Sequence, residues 1–453
     1  MMWSTMVGGV LSVMVVLLGM PAAWAAMPIE HWTHAAGAQV YLVQSRSLPM
    51  VDMQIDFDAG TRRDPADKAG LASATASMAS RGVLASTAGP LLDENGIGEA
   101  WADLGASFGS GATSDRMVFN LRSLTDRDLL PRVLALAARQ LGEPSFPAEV
   151  WQREREQWVA SIRESNTRPG TVAGKAFAAA VYADHPYAYQ TTETSLARIT
   201  VQDMRALYRQ AIRACRAKVS IVGDVSRAQA DALVGVLFGR LDKAADRASC
   251  AELPPVPEVA PLTAPAHTVS IPFESAQAHV LIGQPGIRRN DPDFLALTVG
   301  NYVLGGGGFV SRLYTQVREK RGLSYSVYSY FAPGLHAGAF SVGLQTRPDQ
   351  AAQAIALSHA VVAQFVREGP SEQELLAAKS NLIGGFALRL DSNRKLLDNV
   401  ANIAWNKLPL DYLDTWTASV ERLTVADVRT AFARVLRPET MVTVVVGARD
   451  KVP

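Results

Sequence analysis

The sequence predicts an α+β protein of two homologous domains, each a mostly antiparallel sheet with helices packed on one side. Three observations carry this. First, the chain repeats itself. The phrases ITVQDMRALYRQ (199–210) and LTVADVRTAFAR (423–434) share one pattern, and each runs into a β-rich strand ending in glycine, VSIVGD (219–224) and VTVVVGA (442–448). Thr200 and Gly223 are 23 residues apart, as are Thr424 and Gly447. Near the start of each half a strand ends in AGTRRDP (59–65) or PGIRRNDP (285–292), so that Gly60 precedes Gly223 by 163 residues and Gly286 precedes Gly447 by 161. Two copies of one domain account for this agreement. Second, 453 residues exceed one core and suit two of about 200 residues each. Third, AELPPVPEVAPLTAPAHT (251–268) is rich in proline and poor in charge, which makes it a semi-rigid linker.

In chain order, the first 26 residues carry no charged side chain. The apolar run from Val7 to Met20 is followed by Ala23-Trp24-Ala25, a small-x-small cleavage signal. A secretory leader over 1–25 is expected, with export across the inner membrane to the periplasm. Because no Lys or Arg precedes the apolar run, an uncleaved membrane anchor is the alternative, and only then does the chain meet a membrane. The first domain follows over 26–250, the linker over 251–267 and the second domain over 268–453. Within the first, YLVQ and MVDMQIDFDAG read as strands, then come an Ala-rich helix, the strand MVFNLRSL and long helices. Cys215 and Cys250 are the only cysteines; in an oxidising compartment a bridge between them is expected, with two separate buried thiols as the alternative. Basic residues number 44 and acidic ones 43, a net charge of +1 that gives no ground for nucleic-acid binding or docking on anionic membranes.

The segment GGGGFVSRLYTQVREKRGLSYSVYSY (305–330) carries the most chemistry. Four glycines, Gly305, Gly306, Gly307 and Gly308, lead into a short helical pattern over 309–320 that Arg321-Gly322 stops. The strand that follows sets Tyr325, Val327 and Ser329 on one face, with Tyr328 and Tyr330 on the other. Arg318 and Tyr325, seven residues apart across a tight turn, converge; a guanidinium beside a phenol holds a peptide carbonyl or stabilises a developing oxyanion. The segment resembles the C-terminal half of the pitrilysin/insulinase metallopeptidase family, above all the bacterial members similar to mitochondrial processing peptidase. The resemblance implies that Gly305–Gly308 form its glycine-rich loop and that Arg318 and Tyr325 are its substrate-binding pair, opposite a zinc site.

That family's catalytic half carries His-x-x-Glu-His on the helix after the first strands, two imidazoles for zinc and a glutamate to activate water. Here the corresponding phrase is GLASATASMASRG (70–82), and the motif positions hold Ser73, Ala76 and Ser77. Two hydroxyls and a methyl do not replace two imidazoles and a carboxylate. The resemblance places the third zinc ligand near Ala160-Ser161, on the helix WQREREQWVASIRES (151–165) that also carries Glu154, Glu156 and Glu164. No metal or other cofactor is therefore expected in this chain. His31 and His34 read as a lead-in to a strand and His185 as the cap of a turn; the remaining histidines are isolated. No Gly-x-Ser-x-Gly elbow occurs, and no Gly-Lys-Ser/Thr follows the glycine run.

The resemblance thus implies a non-catalytic subunit that binds unfolded peptide. It would pair as a heterodimer with a His-x-x-Glu-His family member that holds zinc, and supply Arg318 and Tyr325 in trans. The alternatives are a structural homologue and a peptide-binding scavenger or holdase without a proteolytic role.

Overall fold

The computed structural model of the chain describes residues 28–241, 250–251 and 253–447; the expected leader over 1–25 lies outside the described residues. The first half builds six strands: β1 (Glu30–Thr33), β2 (Gln39–Gln44), β3 (Met50–Phe57), β4 (Ser107–Ala112), β5 (Met117–Leu124) and β6 (Lys218–Gly223), in the order β1-β2-β6-β3-β5-β4. The second builds β7 (His267–Ile271), β8 (Ala278–Pro285), β9 (Ser326–Phe331), β10 (Ala339–Thr346) and β11 (Val442–Val446), in the order β7-β11-β8-β10-β9. Without β1, the two orders are the same walk. In each, the last strand of the half sits between the first, which it pairs in parallel, and the second, which it pairs antiparallel. The repeat in the sequence is therefore a repeat in topology, and β9 is the counterpart of β4 at the free end of its sheet.

The repeated phrases have matching local chemistry. Thr200 and Thr424 each cap a helix, Val201–Ala211 and Val425–Val435, by accepting the N–H of Asp203 and Asp427, whose carboxylates bond back to the threonine N–H. Such reciprocal caps satisfy two backbone donors at once.

Strand β3 shows how the halves join. Its apolar residues Val51, Met53, Ile55 and Phe57 alternate with Asp52, Gln54 and Asp56, the pattern of a sheet with one wet face. In the structure the polar face is buried too, with Asp52 at 2% exposure and Asp56 at 0%. A helix of the second half, Asn393–Asn406, lies on β6, β3 and β2. Beneath it, Lys218 donates to the carbonyls of Ala404 (2.9 Å) and Trp405 (3.0 Å), a cation at the helix's negative C-terminal end. Arg116 reaches Asp56 at 3.1 Å, and Gln54 donates to both its oxygens. Burial pushes the Asp56 carboxyl up to about 6 and pulls the Lys218 ammonium down to about 8.

The exchange is mutual. Helix Pro169–Tyr182 of the first half lies on β8 and β11, where Ala173, Phe177 and Val181 pack with Val442, Val444 and Val446. Gly283 makes the room, since a Cβ there would sit 2.8 Å from the Phe177 ring. Each sheet thus has its own helices on one face and a single helix from the other half on the second face.

Phe177→Ala removes a side chain that is 8% exposed and should destabilise the chain by about 3–4 kcal/mol. Because each half lends a helix to the other, urea unfolding followed by tryptophan fluorescence and circular dichroism should give one coincident transition; two resolved transitions would contradict the exchange.

Candidate functional site

The first half's motif helix is Leu71–Ala79. It starts at Gly70, whose φ of +103° no β-carbon residue adopts readily and whose Cβ would meet Thr191 at 2.8 Å. Asp64 accepts the N–H groups of Gly70 (2.8 Å) and Ala72 (2.9 Å), holding the helix entry. Burial pushes the Asp64 carboxyl up to about 7, against the pull of these backbone donors. Ser73 and Ser77 are half-buried and four residues apart, hence on one face. Ala76 is fully buried, and its carbonyl accepts the Ser110 hydroxyl of β4 at 2.6 Å.

Just past this helix Arg81 pairs with Glu94 and, at 3.1 Å, with Glu154. Arg153 donates to Glu94 at 2.5 Å; this bond, with the charge of Arg81, holds the Glu94 carboxyl below the usual carboxylate range. The placement expected for the third ligand is corrected here. Ala160 and Ser161 are exposed, whereas Glu154 is 7% exposed because helix Ala148–Ser165 turns Trp151 and Glu154 inward. The buried carboxylate of this corner is bonded to a guanidinium. These residues do not fit zinc, and among the described residues no group of three or more His, Cys, Asp or Glu is placed to hold a metal ion.

In the second half the Gly305–Tyr330 segment forms a cleft of about 1000 Å³ against β9. Two wide turns with i→i+5 bonds flank the glycines: Tyr302–Gly306, where the Gly307 N–H reaches the Tyr302 carbonyl (2.8 Å), and Tyr314–Glu319, where the Lys320 N–H reaches Thr315 (3.0 Å). Such turns recur at functional sites. The helix expected over 309–320 is a short tight turn, Gly308–Val310, followed by this wide one. Gly322, at φ +61°, ends it with a bond to the Arg318 carbonyl.

The glycines have separate reasons. A Cβ on Gly305 would lie 2.5 Å from the Ser329 nitrogen, so this residue brings the loop onto β9. Asn301 locks that contact, donating to the Ser329 carbonyl (3.0 Å) and accepting its hydroxyl (2.6 Å). Gly306 and Gly307 pack on Asn301 and Tyr302, while Gly308 has a φ of +61° with open space beside it. Gly305, Gly306 and Gly308 line the cleft.

Arg318 and Tyr325 come together: the guanidinium carbon lies 4.5 Å from the Tyr325 ring centre. Two rings not singled out in the sequence complete the setting, Tyr314 at 4.7 Å and Phe309 at 5.9 Å. The spacing of Tyr314 and Arg318, one helical turn apart, was the available signal. Tyr325 does not share the face of Val327 and Ser329. It precedes the strand and is 79% exposed, whereas Val327 and Ser329 are buried and Tyr328 and Tyr330 point outward.

Elsewhere, Cys215 and Cys250 form a disulfide with Cα atoms 6.3 Å apart. His185 accepts the Tyr187 N–H at 3.1 Å, capping the turn Pro186–Ala188.

This arrangement is found in known proteins. The crystal structure of a peptidase M16 inactive domain from Pseudomonas fluorescens superposes with a TM-score of 0.86 at 33% identity, covering 94% of this chain and 99% of that one. The chain belongs to the M16 family. The model described as Insulinase (Peptidase family M16) matches residues 39–195, and that described as Peptidase M16 inactive domain matches residues 198–382. An uncharacterised zinc protease of Streptomyces coelicolor is 27% identical over 302 residues, 66% of this chain and 65% of that protein. The non-peptidase homolog YmxG of Helicobacter pylori is 33% identical over 159 residues, 34% of this chain and 36% of that protein. The match thus spans less than two thirds of either curated relative. Within M16 this chain is a homologue whose motif positions hold Ser73, Ala76 and Ser77, consistent with a non-catalytic role.

Purified from zinc-supplemented medium, the chain should carry far less than one zinc per molecule by elemental analysis; one bound zinc would contradict the reading of Ser73, Ala76 and Ser77. Arg81→Ala should cost about 2 kcal/mol in urea denaturation, because it strips a charged partner from buried Glu154.

Proposed function

We propose that this chain is the non-catalytic, substrate-binding subunit of an exported heterodimeric zinc peptidase. Its partner is an M16 member with an intact His-x-x-Glu-His motif, which holds the zinc and the general base. The two chains close around an unfolded peptide in the periplasm. The observation that carries the proposal is the pairing, in one chain, of a motif helix stripped of zinc ligands with an open cleft where Arg318 and Tyr325 stand together. A chain of this kind keeps the means to hold a peptide without the means to cut it.

In this reading Arg318 donates to a substrate backbone carbonyl and the Tyr325 hydroxyl supplies a second donor. Their effect is to orient the chain and to favour charge on the carbonyl oxygen as the partner's water attacks. Phe309 and Tyr314 hold the guanidinium from the sides, so little freedom is lost on binding. Gly308, with open space beside it, lets the substrate backbone approach the loop.

Assayed with its partner, Arg318→Ala or Tyr325→Phe should lower peptidase activity by about 10²-fold, the scale of losing one oxyanion-type donor. Unchanged activity in both variants would remove the pair from the reaction and favour the holdase or structural role.

A further inference from the structure

Resting on the peptide-binding reading above, we infer that the Gly305–Tyr330 cleft selects extended peptide segments carrying an acidic side chain flanked by bulky apolar or aromatic residues, with the Asp or Glu carboxylate on two of the five Arg318 N–H donors and the others left for the backbone carbonyl.

Arg318 is half-buried, with its guanidinium set among the rings of Tyr325, Tyr314 and Phe309. Ring faces attract a cation but offer no acceptor oxygen in the plane of its N–H groups, so the donor fork stays free for a guest. Among the described residues no carboxylate lies within 4.0 Å of it, whereas Arg312, six residues earlier, is bonded to Glu374 through two nitrogens. The cleft lining contains one other charged side chain, Arg389, and no Asp, Glu, Lys or His. A guest thus meets positive charge only. A planar carboxylate is the complement to a guanidinium, because two parallel N–H bonds form at once.

The walls supply the rest. Tyr328 and Tyr330 project from β9 at 47% and 59% exposure, and Phe309 is 73% exposed, large apolar surfaces for a monomer to leave open. Six-residue β9 runs on beyond Tyr325 and lines the cleft. That length, about 20 Å, fits an extended segment running on from the anchored carboxylate.

Three fluorescent peptides of equal length test this with the purified chain. The first has both ends blocked and carries one glutamate between leucine and phenylalanine; the second replaces that glutamate by glutamine; the third is the glutamine peptide with a free C-terminal carboxylate. By anisotropy the glutamate peptide should bind at least about tenfold tighter than the blocked glutamine peptide. Arg318→Gln should shrink that ratio below about twofold, while Arg318→Lys, keeping the charge, retains part of it and reports an intact fold. Equal binding of the two blocked peptides would overturn the acidic preference while leaving the peptide cleft in place. Tightest binding of the free-ended glutamine peptide would also overturn it, moving the carboxylate to a chain terminus. Failure of all three to bind would overturn both this inference and the reading it rests on.

Discussion

The mutual loan of a helix between the halves is the constraint on which the rest of the structure depends. A sheet with one apolar and one polar face leaves its polar face to water unless something covers it. Here Asn393–Asn406 covers Asp52, Gln54 and Asp56, and the covering is specific: Lys218 caps the helix end while Gln54 and Arg116 satisfy Asp56. On the other sheet the contact is apolar, with Phe177 seated over Gly283. A buried charged cluster adds little net stability but tolerates few alternative registers. The apolar contact supplies the energy and the polar one fixes the fit. Together they hold the motif helix and the Arg318 cleft in one frame.

The duplication explains how one chain can contain two such different corners. Strands β4 and β9 close their sheets at matching positions, and each is packed by the helical segment that follows the corresponding strands β3 and β8. In the first half that segment is a regular helix whose motif positions hold half-buried Ser73 and Ser77 and buried Ala76, with Arg81 neutralising Glu154 nearby. In the second it is loosened by two wide turns around glycines, which opens a cleft instead of a metal site. The same topological position thus presents a filled corner in one copy and an open one in the other.

Much of this was legible in the sequence, for identifiable reasons. The repeat, the α+β class and the family follow from spacings and motifs that survive without coordinates. The convergence of Arg318 and Tyr325 followed from a seven-residue separation across a turn. What the sequence hid was long-range. Periodicity shows that a helix has an apolar face but not which sheet it covers, so the exchange was invisible. Strict period-two counting put Tyr325 with Val327, although the strand starts one residue later. Glu154 was passed over because alignment by motif spacing drifts along a helix, whereas burial does not. Phe309 and Tyr314 were not singled out in the sequence, and the structure sets their rings around the guanidinium.

The central claim is that this chain binds peptide for a reaction it does not itself perform. The direct measurement is peptide hydrolysis by this chain and by a separately purified His-x-x-Glu-His relative from the same cell, each alone and then mixed. This chain alone should give no turnover and the relative little, with a rise to a plateau at one-to-one stoichiometry on mixing. Zinc-dependent hydrolysis by this chain alone, or no change on mixing across all ratios, would contradict it.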